Sequence, residues 1–164
     1  MNTFVKDLDF ERYSGKWYVV AQNKYHFMKA VKCQRVTYTP KGIGMAYSYN
    51  ISKEDENDYP EMNGTIKTEG RNRGEFVIRL NHLPWSRIHY RVMHTDYKSV
   101  AVEYTCIDGA ISPLATISIL LRHKIQWQRL DHGIAPYNLT SLLTPELRKF
   151  VKLIKHTECT NEEE

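Results

Sequence analysis

Apolar and aromatic residues recur at every second position in several short segments of this chain. Met45, Tyr47, Tyr49 and Ile51 alternate with Ala46, Ser48 and Asn50, and Phe76, Ile78 and Leu80 repeat the spacing, as do Ile88, Tyr90 and Val92. Period two marks a strand with one buried and one wet face, because successive side chains leave a pleated backbone on opposite sides. Lys16 to Ala21, Gln34 to Thr39, Gly64 to Glu69, Val100 to Ile107 and Leu114 to Leu121 bring the pattern to about eight strands. Turn chemistry separates them. Pro40-Lys41-Gly42 combines a fixed φ with a residue that accepts positive φ, and Gly70-Arg71-Asn72-Arg73-Gly74 reads as a hairpin turn. Lys53 to Tyr59 is a charged loop, and Pro84 breaks the chain before the next strand.

Short strands joined by turns, with no helix between them, predict an all-β fold: an eight-stranded antiparallel up-and-down barrel. An open sandwich is the structural alternative. Closure with eight strands leaves an interior just wide enough for one small ligand. The last quarter changes period. Thr144-Pro145-Glu146 is a helix start, and Leu147, Phe150, Val151 and Ile154 follow at i, i+3, i+4 and i+7, with Lys149, Lys152 and Lys155 elsewhere on the surface. A C-terminal α-helix packed outside the barrel is expected, its lysines a solvated face. The whole chain, 1–164, is expected to form one domain.

Composition narrows the function classes. No run approaches the ~20 apolar residues needed to cross a bilayer. Lysine and arginine are scattered among acids, and the chain ends in Glu162-Glu163-Glu164, which argues against a nucleic-acid partner. The first sixteen residues carry Lys6, Asp7, Asp9, Glu11 and Arg12 and hold no signal-peptide core. The chain is therefore either cytosolic or one whose leader has been removed. Three N-glycosylation sequons, at Asn50, Asn63 and Asn138, favour secretion. The three cysteines, Cys33, Cys106 and Cys159, are an odd count, which in a secreted protein implies a free thiol or a missing partner. Three reduced cytosolic thiols are the other reading.

Asp9 to Tyr18, with Gly15-Lys16-Trp17 at its centre, resembles the first signature of the lipocalin family. Thr95-Asp96-Tyr97 resembles the turn between the family's middle strands, and Ile119-Leu120-Leu121-Arg122 its last-strand signature. The three stand in the family's order across most of the chain. Lys32 to Pro40 resembles the branch of apolipoprotein D and the insect bilin-binding proteins. The resemblance implies that Trp17 plugs the closed end of the barrel with Arg122 stacked over it. Gly15, Trp17, Thr95, Asp96, Tyr97 and Arg122 are then structural. It also implies a Cys33–Cys159 disulfide, and a partner for Cys106 just upstream of the first signature. The chain has no such cysteine, so Cys106 is expected to be unpaired.

A family member holds its ligand in an apolar cup. Alternation puts Met45, Tyr47, Tyr49 and Ile51 on one wall, Phe76, Ile78, Leu80 and His82 on the next, and then Ile88, Tyr90 and Val92. Leu114 and Thr116 come from the last strand. Tyr25, Phe27 and Met28 stand where the family's entrance loop overhangs the ligand. Glu103 faces inward by the same count, where a lone carboxylate is costly or protonated. Its expected partner is Arg79, Arg87, Arg91, a histidine or a cationic group on the ligand.

The resemblance thus implies extracellular binding and transport of a small hydrophobic molecule, such as a bilin, fatty acid, retinoid or sterol, by a monomer or weak homo-oligomer. No cofactor is required, although a bilin or lipid would suit the interior. Glu103 and the many tyrosines leave open a scavenger of small cationic amines. An inhibitor acting through its outer loops is a third reading. No Ser-His-Asp order, CxxC or HExxH motif is present, and His82, His89 and His94 have spacings that do not suit zinc. Neither catalysis nor a metal is expected.

Overall fold

The computed structural model describes residues 4–23, 31–41, 46–54, 61–68, 74–107, 114–123, 151–156 and 158–159. Among them lie one short helix, α1 (Phe10–Tyr13), and nine strands: β1 (Gly15–Asn23), β2 (Lys32–Pro40), β3 (Ala46–Glu54), β4 (Glu61–Thr68), β5 (Phe76–Leu80), β6 (Leu83–Thr95), β7 (Val100–Ile107), β8 (Leu114–Leu121) and β9 (Val151–Leu153). From β1 to β8 each strand pairs antiparallel with the next in sequence, and β8 returns to β1. The β8–β1 and β1–β2 ladders close these eight into the expected up-and-down barrel. The strands run one or two residues beyond their sequence-predicted bounds at β1 and β2. Pro84 lies inside β6 instead of breaking it, and the chain reverses at Asn81 and His82.

One face of the sheet is the barrel interior. Trp17, Val19, Val36, Tyr38, Ile66, Phe76, Ile78, Leu80, Tyr90, Val92, Ala101 and Leu120 are buried there in one cluster. A second, smaller cluster of Val20, Ala21, Val100, Ile119 and Leu121 belongs to the other face of β1, β7 and β8. The two meet at a bulge in β1. Val19 pairs with Leu120, but Ala21, not Val20, pairs with Ile119, and Gln22 then pairs with Ser118. The extra residue reverses the alternation, so Val20 and Ala21 both serve the outer cluster.

β1 has different neighbours along its second edge. Gly15 to Tyr18 pair with β2, and Ala21 to Asn23 pair with β9. Between these stretches Val19 and Val20 belong to neither ladder. The Ile154 N–H donates to the Val20 carbonyl at 2.9 Å, and the ring Nε2 of buried His156 lies 2.7 Å from the Val19 carbonyl. The disulfide between Cys33 and Cys159 ties this segment to the start of β2, and Cys106 is a free thiol.

The expected C-terminal helix is corrected here. Its Val151 lies in a strand, and the residues before it, 124–150, fall outside those described. Helical spacing loses at Val151–Leu153 because β1 presents an unpaired backbone edge where β2 diverges, and a strand satisfies it.

Candidate ligand site

The end of the barrel at Trp17 is closed by α1 and the arginine after β8. Asp9 caps α1 by accepting from Arg12 N at 3.2 Å, and Ser14 ends it by returning its N–H and hydroxyl to the Phe10 carbonyl. The Trp17 indole donates to the Tyr13 carbonyl at 2.9 Å, and the Arg122 guanidinium lies 3.7 Å above the indole ring. Arg122 donates to the carbonyls of Arg12, Tyr13, Ser14, Lys16 and Tyr97, at 3.0 to 3.2 Å. Gly15 has φ +99°, and a Cβ there would stand 3.2 Å from an Arg122 nitrogen.

The adjoining Thr95-Asp96-Tyr97 turn is held by its own side chains. Thr95 Oγ1 donates to the Val100 carbonyl and accepts from Tyr97 N. Asp96 Oδ1 accepts from the N–H groups of Lys98, Ser99 and Val100, while Oδ2 accepts from the Ser99 hydroxyl. Partial burial pushes the Asp96 carboxyl up, but these bonds outweigh it and hold the group below the usual carboxylate range.

Above this plug lies Glu103, inward-facing as alternation predicts and 6 % exposed. Its partners are not the arginines or histidines expected from sequence. The hydroxyls of Tyr13, Tyr38 and Tyr90 all donate to its Oε1, at 2.5, 2.7 and 2.7 Å. These tyrosines come from α1, β2 and β6, and they pack ring to ring with Phe10, Trp17 and Phe76. Burial pushes the Glu103 carboxyl up and the three hydroxyl bonds pull it down, the net being above the ordinary value. Burial, then the nearby carboxylate, raises Tyr13 and Tyr90 well above the usual phenol range, so both remain hydroxyl donors. Arg91 pairs instead with Glu75 at 2.7 Å.

From Glu103 towards the other end the inward positions become more exposed. Along the inward positions of β7, exposure rises from 0 % at Ala101 through 6 % at Glu103 and half-buried Thr105 to 45 % at Ile107. Along β8 it rises from Leu120, fully buried, through Ser118 at 8 % to half-buried Thr116. Glu103 pairs with Ser118, and Thr105 with Thr116, so both gradients follow the same rows across the sheet. Among the described residues, both inward rows therefore become more exposed from the Trp17 end towards Ile107. Gln22, brought beside Ser118 by the β1 bulge, donates to its hydroxyl at 2.9 Å.

The model of the lipocalin / cytosolic fatty-acid binding protein family matches residues 14–121. The chain belongs to the lipocalin family. Solved structures agree. Insecticyanin from the tobacco hornworm Manduca sexta shares the fold with a TM-score of 0.69 at 18 % identity, over 96 % of this chain and 86 % of that one. Lobster apocrustacyanin A1 does so with a TM-score of 0.63 at 16 % identity, over 90 % and 79 %. At such identities the likeness is one of fold. No curated protein sequence matches this lipocalin.

Of the residues sequence assigned to the lipocalin's site, Phe76, Ile78 and Tyr90 are buried in the interior cluster, and Ile88 packs against it half-buried. Thr116 stands half-buried on β8 opposite Thr105. His82 is corrected: it is exposed in the β5–β6 turn, because the strand ends at Leu80 and the alternation ends with it. Tyr47 pairs with Ile66, Tyr49 with Tyr38 and Gly64, and Leu114 with Ile107, but their side chains lie outside the described residues, as do Tyr25, Phe27 and Met28 entirely. Asn63 is exposed on β4 opposite Asn50 of β3, while Asn138 lies outside the described residues. Among the described residues no group of three or more His, Cys, Asp or Glu side chains could hold a metal.

Sequence reasoning missed Tyr13, Tyr38, Gln22 and Ser118. Tyr38 carried a usable signal, standing at period two from Val36 in a segment already read as a strand. Gln22 carried none, since only the bulge turns it inward.

Proposed function

We propose that this lipocalin binds one small molecule with an apolar body in the barrel lumen and carries it unchanged. The observation behind this reading is the graded opening of the inward rows, from sealed Ala101 and Leu120 to exposed Ile107. Thr105, Thr116, Ile88 and Leu80 give the lumen a mainly apolar wall with a few hydroxyls, the composition that suits a compact hydrophobic ligand. Bilins, fatty acids, retinoids and sterols fit that description. The resemblance of Lys32 to Pro40 to the apolipoprotein D and insect bilin-binding branch favours the first among them.

The site of action we propose is extracellular. The Cys33–Cys159 disulfide suits an oxidising compartment, and exposed Asn63 offers a glycan acceptor.

The test is retention of an apolar fluorescent probe by the purified protein, beside a Thr116→Trp variant that fills the lumen. Wild type takes up one probe per chain, and the variant takes up none while keeping its melting temperature within a few degrees. Equal uptake by both proteins overturns the lumen as the site. An absorption spectrum of protein from its natural source tests the bilin reading, which predicts a visible band.

A further inference from the structure

The lumen floor has chemistry that an apolar ligand leaves unused. All three hydrogen bonds to Glu103 fall on Oε1. Among the described residues no group donates to Oε2, and none of their lysines, arginines or histidines pairs with this carboxylate. Beside it, Ser118 Oγ accepts from Gln22 Nε2, which leaves the serine proton without an acceptor among the described residues. Glu103 and Ser118 are each more than nine-tenths buried, and they are register partners across β7 and β8. The floor thus offers a buried carboxyl group with one free oxygen, and a hydroxyl donor on the next strand.

The arrangement is specific about what completes it. Three hydroxyls on one oxygen orient the carboxylate and leave the other oxygen as the directed acceptor. An anionic ligand group, such as a fatty-acid carboxylate, would meet like charge there. A neutral apolar end would bury Oε2 with no partner, which is unfavourable for an ionised group in a low-dielectric site. An ammonium group supplies both the missing donors and the missing counter-charge.

We propose that Glu103 Oε2 and Ser118 Oγ form a subsite for the protonated amino group of a small organic amine, whose apolar or aromatic body occupies the lumen above. This rests on the lumen reading given above and, within it, favours an amine over the bilin, fatty-acid, retinoid and sterol classes.

Calorimetry with tryptamine and with its uncharged isostere 3-propylindole separates the two claims. The expected result is that wild type binds tryptamine at least tenfold more tightly. In Glu103→Gln that preference is lost, and Thr116→Trp binds neither. The comparison on wild type needs no variant, so it stands even if Glu103→Gln folds poorly. Equal affinity of wild type for the two indoles overturns the amine subsite, as does a preference that survives in a folded Glu103→Gln protein. If wild type binds the apolar fluorescent probe but not tryptamine, the subsite fails and the carrier reading stands. If it binds neither indole nor the probe, both fail.

Discussion

Arg122 uses its guanidinium in a way that lysine cannot copy. It reaches five carbonyls spread over α1, the start of β1 and the Thr95 turn, while its flat face covers Trp17. A lysine has three donors, no plane to stack and no fork to span these acceptors. Arg122→Lys is expected to lower stability by about 2–4 kcal/mol, several carbonyls at the barrel base losing their partner. Gly15→Ala should lower it by about 1–2 kcal/mol, since an L side chain is strained at positive φ and its Cβ would press on the same guanidinium. Urea midpoints for both variants check this; a change below about 0.5 kcal/mol in Arg122→Lys would show the clasp to be dispensable.

Glu103 governs a pH effect whose sign follows from its raised carboxyl pKa. A group with a folded pKa above its unfolded one supports the fold fully at pH below the unfolded value, and loses that support as pH rises through the folded value. The groups facing it are the hydroxyls of Tyr13, Tyr38 and Tyr90, and burial keeps those of Tyr13 and Tyr90 protonated across this range. Wild type should therefore lose thermal stability relative to Glu103→Gln as pH rises above the ordinary glutamate value of 4.5. Melting curves of the two proteins from pH 4 to 8 test it, and a constant gap would contradict the raised pKa.

At the scale of elements, the second half of β1 depends on a partner far away in sequence. Reducing Cys33–Cys159, or replacing both by serine, frees a segment that closes a loop of 126 residues and removes roughly 3–5 kcal/mol from the fold. Because β9 and Ile154 reach only Val20 to Asn23, amide exchange should quicken along Ile154 and β9, and stay slow at Trp17 and Tyr18, which pair with β2. Uniform acceleration over all of β1 would mean that the disulfide supports the whole barrel. The same elements mark the limits of sequence reading. Alternation along Phe76 to Leu80 and Ala101 to Thr105 placed residues on the correct face, because a half-buried strand leaves no other choice. It failed where one residue breaks the count: the bulge at Val20 turned Gln22 inward unannounced, and the turn at His82 took that side chain out to solvent. Glu103 was legible as an inward acid. Its partners were not, since Tyr13, Tyr38 and Tyr90 are brought together only by closure of the barrel.

At the scale of the whole molecule, the described inward rows are fully buried at one end and exposed at the other. Trp17, Ala101, Leu120 and Val92 are sealed beneath the Arg122 clasp, while the lumen rows loosen towards Ile107. Amide protection in the ligand-free protein should follow this axis, slowest at the closed end, where opening requires global unfolding. A ligand that binds only the folded barrel adds RT ln(1 + [L]/Kd) to every globally opening amide, about 2.7 kcal/mol at a hundredfold excess over Kd. At the open end it does more, because it also fills the space into which Thr105 and Thr116 fluctuate. Exchange measured with and without saturating tryptamine should therefore show protection rising at Trp17 and Leu120 by the global amount alone. At Thr105 and Thr116 the rise should be larger. An increase of the same size at both ends would place the bound molecule outside the lumen, since only a ligand lodged between β6, β7 and β8 restrains their upper halves more than their base.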